Sequence, residues 1–296
     1  MPNYIDWKVA KFGFIGVGRV GTALALRLNE KQYTVLNLSG KSPNSGASLS
    51  QRIPGSVAST IINTINHSDI IFICVPDDII QNLVDKLPWV KGQIIVHTSG
   101  ALNIQTPNNT SIHLANLHPL QTIIMDSPLQ YNFSFGIQSK DPTIQRNLEE
   151  LVGDLGGSGF IIPEELRSLY HASAVMASNY LVTLMGIATE LWKELGYDET
   201  ESLRALLPLI KQTITNIETY GVQNALTGPI ERGDTGTIEK HIETLGQKAD
   251  TLLPLYYEMA KHTINIAKRK GSIEQAQEDE LINLINKHMT KGNQTE

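Results

Sequence analysis

The sequence predicts an α/β domain built on a parallel sheet, followed by an all-α domain. Three observations carry this expectation. Short β-rich runs alternate with helical stretches through the first half, a glycine cluster separates the first run from the first helix, and long helical patterns replace nearly all strand signal after Asp141-Pro142. At roughly 100 to 200 residues per domain, 296 residues fit two domains. They are expected at 1–161 and 162–296, divided near Gly156-Gly157-Ser158-Gly159.

In order, residues 12–15 form a compact apolar strand and residues 22–28 follow helical periodicity. Residues 34–38 read as the second strand and 39–48, rich in Ser, Gly, Pro and Asn, as a loop. Residues 70–75 and 94–97 are continuous apolar runs, as expected of strands buried on both faces. Residues 114–117 and 134–138 are weaker strand candidates, and 142–155 should be the last helix of the first domain. The run 160–162 leads into a long helix over 164–195 that stops at Gly196. Further helices are expected over 199–220, 237–245, 249–270 and 273–288, with kinks at Pro208 and Pro254. Ser272 and Gln275 fit a capping box for the last.

Charge and cysteine usage narrow the partners. There are 24 Lys and Arg against 30 Asp and Glu, a net charge of −6, so no basic field favours nucleic acid or an anionic membrane. The single cysteine, Cys74, cannot form an internal disulfide, and it reads as a buried strand residue rather than a nucleophile. Residues 1–14 lack the charged stub and apolar core of an export signal, so a soluble, cytoplasmic protein is expected. Residues 172–189 carry no charge and approach spanning length. Ser173, Ser178, Asn179, Thr183 and Thr189 interrupt them, and Arg167, Glu190 and Lys193 flank them, so a buried or subunit-interface helix is expected instead of a membrane span.

Gly16-Val17-Gly18-Arg19-Val20-Gly21 is a G-x-G-x-x-G between the first strand and the first helix. In that context it is the mark of a Rossmann-type dinucleotide site: Gly16 permits the turn, Gly18 lets a diphosphate approach the backbone, and Gly21 lets helix and sheet pack. The helix N-terminus attracts the phosphate charge. An NAD-preferring site would place a carboxylate about 20 residues later, yet no acidic residue occurs between Glu30 and Asp69. The sequence there is Ser39-Gly40-Lys41-Ser42. A lysine and two hydroxyls suit a 2′-phosphate, so NADP is the expected cofactor, with a solvated loop lysine as the alternative. Val75-Pro76 and Thr98-Ser99 end two predicted parallel strands, where small or hydroxylated residues let ribose and nicotinamide lie against the backbone. Asp77 and Asp78 fit that crevice and fit helix capping equally well.

His118 precedes Pro119 after another short strand and can relay a proton near neutral pH, although a structural role is an equal alternative. His97, His113, His241, His262 and His288 show no metal-ligand spacing, and no metal site is expected.

Together the glycine motif, His97-Thr98-Ser99-Gly100-Ala101-Leu102, His118-Pro119-Leu120-Gln121-Thr122, Tyr170-His171-Ala172-Ser173-Ala174, Ser178-Asn179-Tyr180-Leu181, Ala225-Leu226-Thr227-Gly228-Pro229-Ile230 and Arg232-Gly233-Asp234 resemble a bacterial family over nearly the whole chain. That family joins a Rossmann-like domain to a helical domain of unknown function. Its members carry the label NADP- or deazaflavin-dependent oxidoreductase and have no settled substrate. The chain is more distantly similar to pyrroline-5-carboxylate reductase and the β-hydroxyacid dehydrogenases. The resemblance implies a helical domain of the 6-phosphogluconate dehydrogenase C-terminal type, a homodimer through that domain, and an active site between the Rossmann crevice and the long helix.

One departure matters. Where β-hydroxyacid dehydrogenases carry a lysine and, four residues later, an asparagine, this chain has His171 and Val175. On a continuous helix Ser178 would fall about 20° from His171 and Asn179 about 80°, so all three can share a broad face. His171 could then donate to a developing alkoxide or amine and Asn179 orient substrate, with an interface histidine as the alternative. Arg232 can grip a carboxylate, or the segment 227–234 can be a sharp turn with Asp234 capping the next helix. The expected function is an NADPH-dependent oxidoreductase acting on a small carbonyl or imine, with carboxylate-bearing compounds among the candidates. His171 and His118 are the candidates for proton transfer, Ser99 and Asn179 for orientation, and Arg232 for an anionic group. The alternative is a non-catalytic dinucleotide sensor, which the missing lysine favours.

Overall fold

A computed structural model describes residues 5–107, 111–124 and 132–292; residues 1–4 of the amino-terminal segment weighed above lie outside them. The chain divides into two compact units, Met1–Leu181 and Val182–Glu296.

The first unit runs β1 (Lys11–Ile15), α1 (Arg19–Glu30), β2 (Thr34–Ser39), α2 (Pro43–Ser50), β3 (Val57–Ala58), α3 (Ile61–His67), β4 (Ile70–Ile73), α4 (Asp77–Lys86), β5 (Ile94–His97), β6 (His113–Leu120), β7 (Ser134–Ser139), α5 (Pro142–Asp154), β8 (Ser158–Ile161), a 3-10 turn (Glu164–Leu166) and α6 (Arg167–Ala177). The sheet order is β3-β2-β1-β4-β5-β6-β7-β8. Every neighbouring pair is parallel except β6 with β7. The order reverses between β1 and β4, which places a crevice outside their carboxyl ends.

Alternation along the strands builds a core on each face of the sheet. Ile70, Phe72, Ile94 and Val96 join Phe12, Phe14, Leu24, Leu28 and Leu148 on one face, whereas Ile71, Ile73 and Ile95 meet Ile65, Ile80 and Val84 on the other. Phe14 and Phe72 stack at 5.2 Å between ring centroids. Each of these fully buried side chains contributes about 1.5–3 kcal/mol.

Several elements differ from expectation. The stretch read as a loop over 39–48 turns helical at Pro43, because Ser42 and Ser45 form a capping box and a proline takes the first helical position. The strand expected to reach Val75 ends at Ile73. His118-Pro119 lies inside β6 rather than after it: β5 pairs only with His113 to Asn116, so residues 117–120 overhang it and the missing N–H of Pro119 costs no ladder bond on that side. The glycine-rich segment read as the domain boundary supplies β8, and the first unit extends beyond 161 through α6, which Arg167 ties to the sheet. The long helix expected over 164–195 breaks at Ser178 (φ −115°, ψ −68°) and resumes as α7 (Asn179–Lys193). The stretch Glu164–Lys193, in which an 18-residue window has a mean hydropathy of 1.3, is the one among the described residues long and apolar enough to cross a membrane.

The second unit holds α8 (Glu199–Ala225), α9 (Thr235–Lys248), a 3-10 turn (Asp250–Leu252), α10 (Leu253–Lys270) and α11 (Gln275–Gly292). Its core gathers Ile238, Ile242, Tyr257, Ile264, Leu281 and Ile285. Non-helical dihedrals in α8 fall at Gly221 (φ 75°) rather than at Pro208, and Pro254 begins α10 instead of kinking it. The capping box expected of Ser272 and Gln275 does not form: two residues on, the Gln277 side chain accepts from Glu274 N–H, while Ser272 N–H closes the end of α10 on the Ala267 carbonyl. α8 buries only Ser202.

Candidate active site

The glycine turn lies at the carboxyl end of β1. Gly16 has φ +98°, and a side chain there would strike the Cys74 carbonyl, so this turn requires glycine. Gly21 packs on the Gly16 carbonyl. A Cβ on Gly18 would meet nothing within 4 Å, Gly18 and Arg19 are exposed, and α1 has no side-chain cap. The unpaired N–H groups at the start of α1 (Arg19, Val20 and Gly21) therefore lie beside open space at the positive end of the helix dipole, which fits a diphosphate. Val17 is buried against the core on this turn.

The residues expected around the cofactor separate into two groups. Lys41 and Ser42 are exposed beyond β2. Ser39, expected beside them, is buried and its hydroxyl donates to the Phe14 carbonyl at 3.2 Å, so it joins β2 to β1. Pro76 is exposed before α4, with Val75 half-buried beside it. Thr98 is buried and donates to the Ile73 carbonyl at 3.3 Å. Ser99 is also corrected: its hydroxyl donates to Asp77 at 2.8 Å and accepts from the N–H groups of Ala101 and Leu102, which leaves it to shape the turn rather than orient a substrate. Asp77 thus both opens α4 and holds Ser99. Burial pushes the Cys74 thiol up to about 12, which suits the inert role expected of it.

His118 and His171 do come together. They line one cavity of about 530 Å³ with Arg19, Thr122, Ser178 and Asn179. β6 carries His118 into it, α6 carries His171, and Asn179 opens α7 just past the helix break. The two imidazole centroids are 6.0 Å apart, and the Thr122 and Ser178 hydroxyls are 3.0 Å apart. His118 Nδ1 is 2.8 Å from the Tyr170 hydroxyl, whose ring stands edge-on to it. Burial, then the His171 and Arg167 charges, lower His118 to about 4, so it is neutral at physiological pH. Burial raises Tyr170. The phenol therefore keeps its proton, and its hydrogen bond with Nδ1 holds the His118 ring with Nε2 2.8 Å from where a Cβ on Gly100 would lie.

Three residues that sequence reasoning left without a role build this arrangement. Gly100 gives both rings room, since a Cβ there would lie 2.5 Å from His171 Cδ2. Tyr170 holds the His118 ring in place through its bond to Nδ1. Arg167, read as a polar flank, is fully buried: it donates to the Ser99 carbonyl at 3.4 Å, to Asn116 Oδ1 at 2.8 Å and to Gln138 Oε1 at 2.5 Å. Arg167, Tyr170, His171, Ala174 and Ser178 recur at three- and four-residue spacing, the signal that could have revealed the face.

Arg232 belongs to the second unit. Its neighbours make a tied turn: Lys270 Nζ bonds Glu231 at 2.8 Å and the Leu226 carbonyl at 2.9 Å, and Asp234 caps α9 through Thr237 N–H at 3.0 Å. Among the described residues no group of three His, Cys, Asp or Glu side chains gathers to hold a metal.

The sheet order, glycine turn and cavity define a protein of the Rossmann dinucleotide-fold class. The chain joins a Rossmann-like domain, matched over residues 4–116, to a domain of unknown function (DUF2520), matched over 133–263. Similar solved structures include BF3122 from Bacteroides fragilis, labelled an NADP oxidoreductase (20% identity, 88% of this chain and 100% of that one, TM-score 0.69). Protein TM1727 from Thermotoga maritima is 25% identical over 88% of this chain and 99% of that one, with a TM-score of 0.68. A Plasmodium falciparum pyrroline carboxylate reductase with NADP bound is 15% identical over 94% of this chain and 99% of that one, with a TM-score of 0.56. No curated protein sequence matches the chain.

Proposed function

We propose that the chain is an NADPH-dependent oxidoreductase that transfers hydride to or from a small carbonyl or imine, with carboxylate-bearing substrates in scope. The observation that carries this reading is the one cavity whose lining joins Arg19, from the glycine turn, to His118 and His171. The NADP-bound reductase and the labelled oxidoreductase that share the fold support the choice of coenzyme.

The glycine turn would hold the diphosphate, and Lys41 with Ser42 would receive the 2′-phosphate. When bound, NADPH would supply the hydride to the substrate carbon, and a protein group would give a proton to the substrate oxygen or nitrogen. His171 is the donor in this reading. His118, held neutral, stands edge-on beside the donor ring, and Asn179 positions the substrate from the end of the broken helix. Arg232, in the second unit, is the candidate for gripping an anionic group. NADPH offered with small oxo acids and cyclic imines is expected to lose its nicotinamide absorbance with at least one of them; tight coenzyme binding with no turnover across both classes would favour the sensor.

We further propose a homodimer through the helical unit. α8 leaves Leu209, Ile214, Tyr220 and Val222 exposed along its length, and α7 leaves Tyr180 and Val182 exposed. Light scattering should give twice the chain mass, and a monomer at micromolar concentration would contradict the proposal.

A further inference from the structure

The parallel strands β5 and β6 are joined without a helix among the described residues of 98–112, although such a crossover commonly carries one. A second cavity of about 580 Å³ lies at this part of the first unit, and none of its lining residues is shared with the first cavity. Ile104, Ile112 and Leu114 give it an apolar wall.

Two side chains on its lining carry hydrogen-bond donors. His97 lines the cavity although only 4% exposed. The Asn116 amide is fixed in orientation: Oδ1 accepts from Arg167, so one Nδ2 hydrogen goes to the Ser99 carbonyl and the other is shared between the His97 carbonyl and His97 Nδ1, 3.1 Å away. His97 Nδ1 must therefore accept, and the proton sits on Nε2, which has no protein partner among the described residues. Gln138 is fixed in the same way. Its Oε1 takes the Arg167 Nη2 donor, which leaves its NH2 group for the cavity.

The charges around the cavity distinguish its depth from its rim. Lys140 and Glu164 pair at 3.3 Å, and Asp141 caps α5 with one oxygen and stands 3.8 Å from His113 with the other. Behind Gln138, the Arg167 guanidinium is wholly buried and has no carboxylate within hydrogen-bond reach among the described residues; its Nε is unpaired. A buried cation with two unused donors in front of it suits an anion.

We propose that this cavity binds a short-chain aliphatic carboxylate, its oxygens on His97 Nε2–H and the Gln138 amide and its chain against Ile104, Ile112 and Leu114. The site is separate from the proposed hydride-transfer cavity and does not depend on it. The probe is butyrate, titrated into the full chain by heteronuclear NMR with butyramide as the uncharged control. Saturable shifts centred on the amides of Ile104, Ile112 and Gln138 are expected, with butyramide binding about tenfold or more weakly. Thr106→Trp, which fills the cavity from an exposed rim position, should abolish them, and His97→Phe should weaken binding about tenfold or more. Equal binding of butyramide, shifts centred on His118 and Ser178, unaltered binding in Thr106→Trp, or no saturable shift at millimolar butyrate would each overturn the assignment.

Discussion

His171→Ala is expected to lower turnover by about 10²- to 10⁴-fold, the usual loss when a general acid is removed, while NADPH binding stays unchanged. The split follows from position. His171 lines the cavity from α6, stands 6.0 Å from the His118 ring, and is not part of the glycine turn that would hold the diphosphate. Gly100→Val supplies an independent test because it removes no ionisable group. Its Cβ would lie 2.5 Å from His171 Cδ2 and 2.8 Å from His118 Nε2, so one or both rings must move. A displacement on the order of 1 Å can cost about 10²-fold in rate. Both variants should therefore lose turnover with intact coenzyme affinity. Full activity in His171→Ala would remove that residue from the chemistry.

Stability should fall steeply with acid between about pH 6.5 and 3. Burial, then the Arg167 and His118 charges, lower His97 to about 3; burial, then the His171 and Arg167 charges, lower His118 to about 4. An unfolded chain takes up these protons near 6.5, so across that window the unfolded state binds more protons and each fall in pH disfavours the fold. Above 6.5 the contribution is fully present; below about 3 both states are protonated and the dependence from these groups ends. The two sites share the Arg167 field, so the combined loss is taken as on the order of 5 kcal/mol rather than as a sum of independent shifts. That is comparable to the whole stability of many domains. Carboxylates also titrate below pH 5, so the readout is the difference between wild type and the His97→Gln, His118→Gln double variant in urea unfolding. The double variant should show the shallower pH dependence, and parallel curves would contradict the assignment.

Much of the first unit was legible because its signals are local. The G-x-G-x-x-G sits where strand meets helix, and the runs 70–75 and 94–97 show the continuous apolarity of strands covered on both faces. What failed depends on partners distant in sequence. The direction of β7 is set by its pairing with β6, and nothing in residues 134–138 encodes antiparallel against parallel. Ser99 looked available because a hydroxyl after a strand reads the same whether it faces a ligand or Asp77. α2 was hidden by Ser and Gly, residues that favour loops until a capping box engages them. Arg167 was read as a charge flanking an apolar helix, whereas its fork meets acceptors from β6, β7 and the turn after β5, none near it in sequence. The His171, Ser178 and Asn179 grouping was expected on a continuous helix; the three line one cavity even though the helix breaks at Ser178.

The most direct test is calorimetric titration of the full chain with NADPH and with NADH. NADPH is expected to give saturable heat and to bind more tightly than NADH, with Lys41→Ala weakening NADPH about tenfold or more and leaving NADH unchanged. Absence of heat from both coenzymes, or equal losses for both in Lys41→Ala, would contradict this expectation.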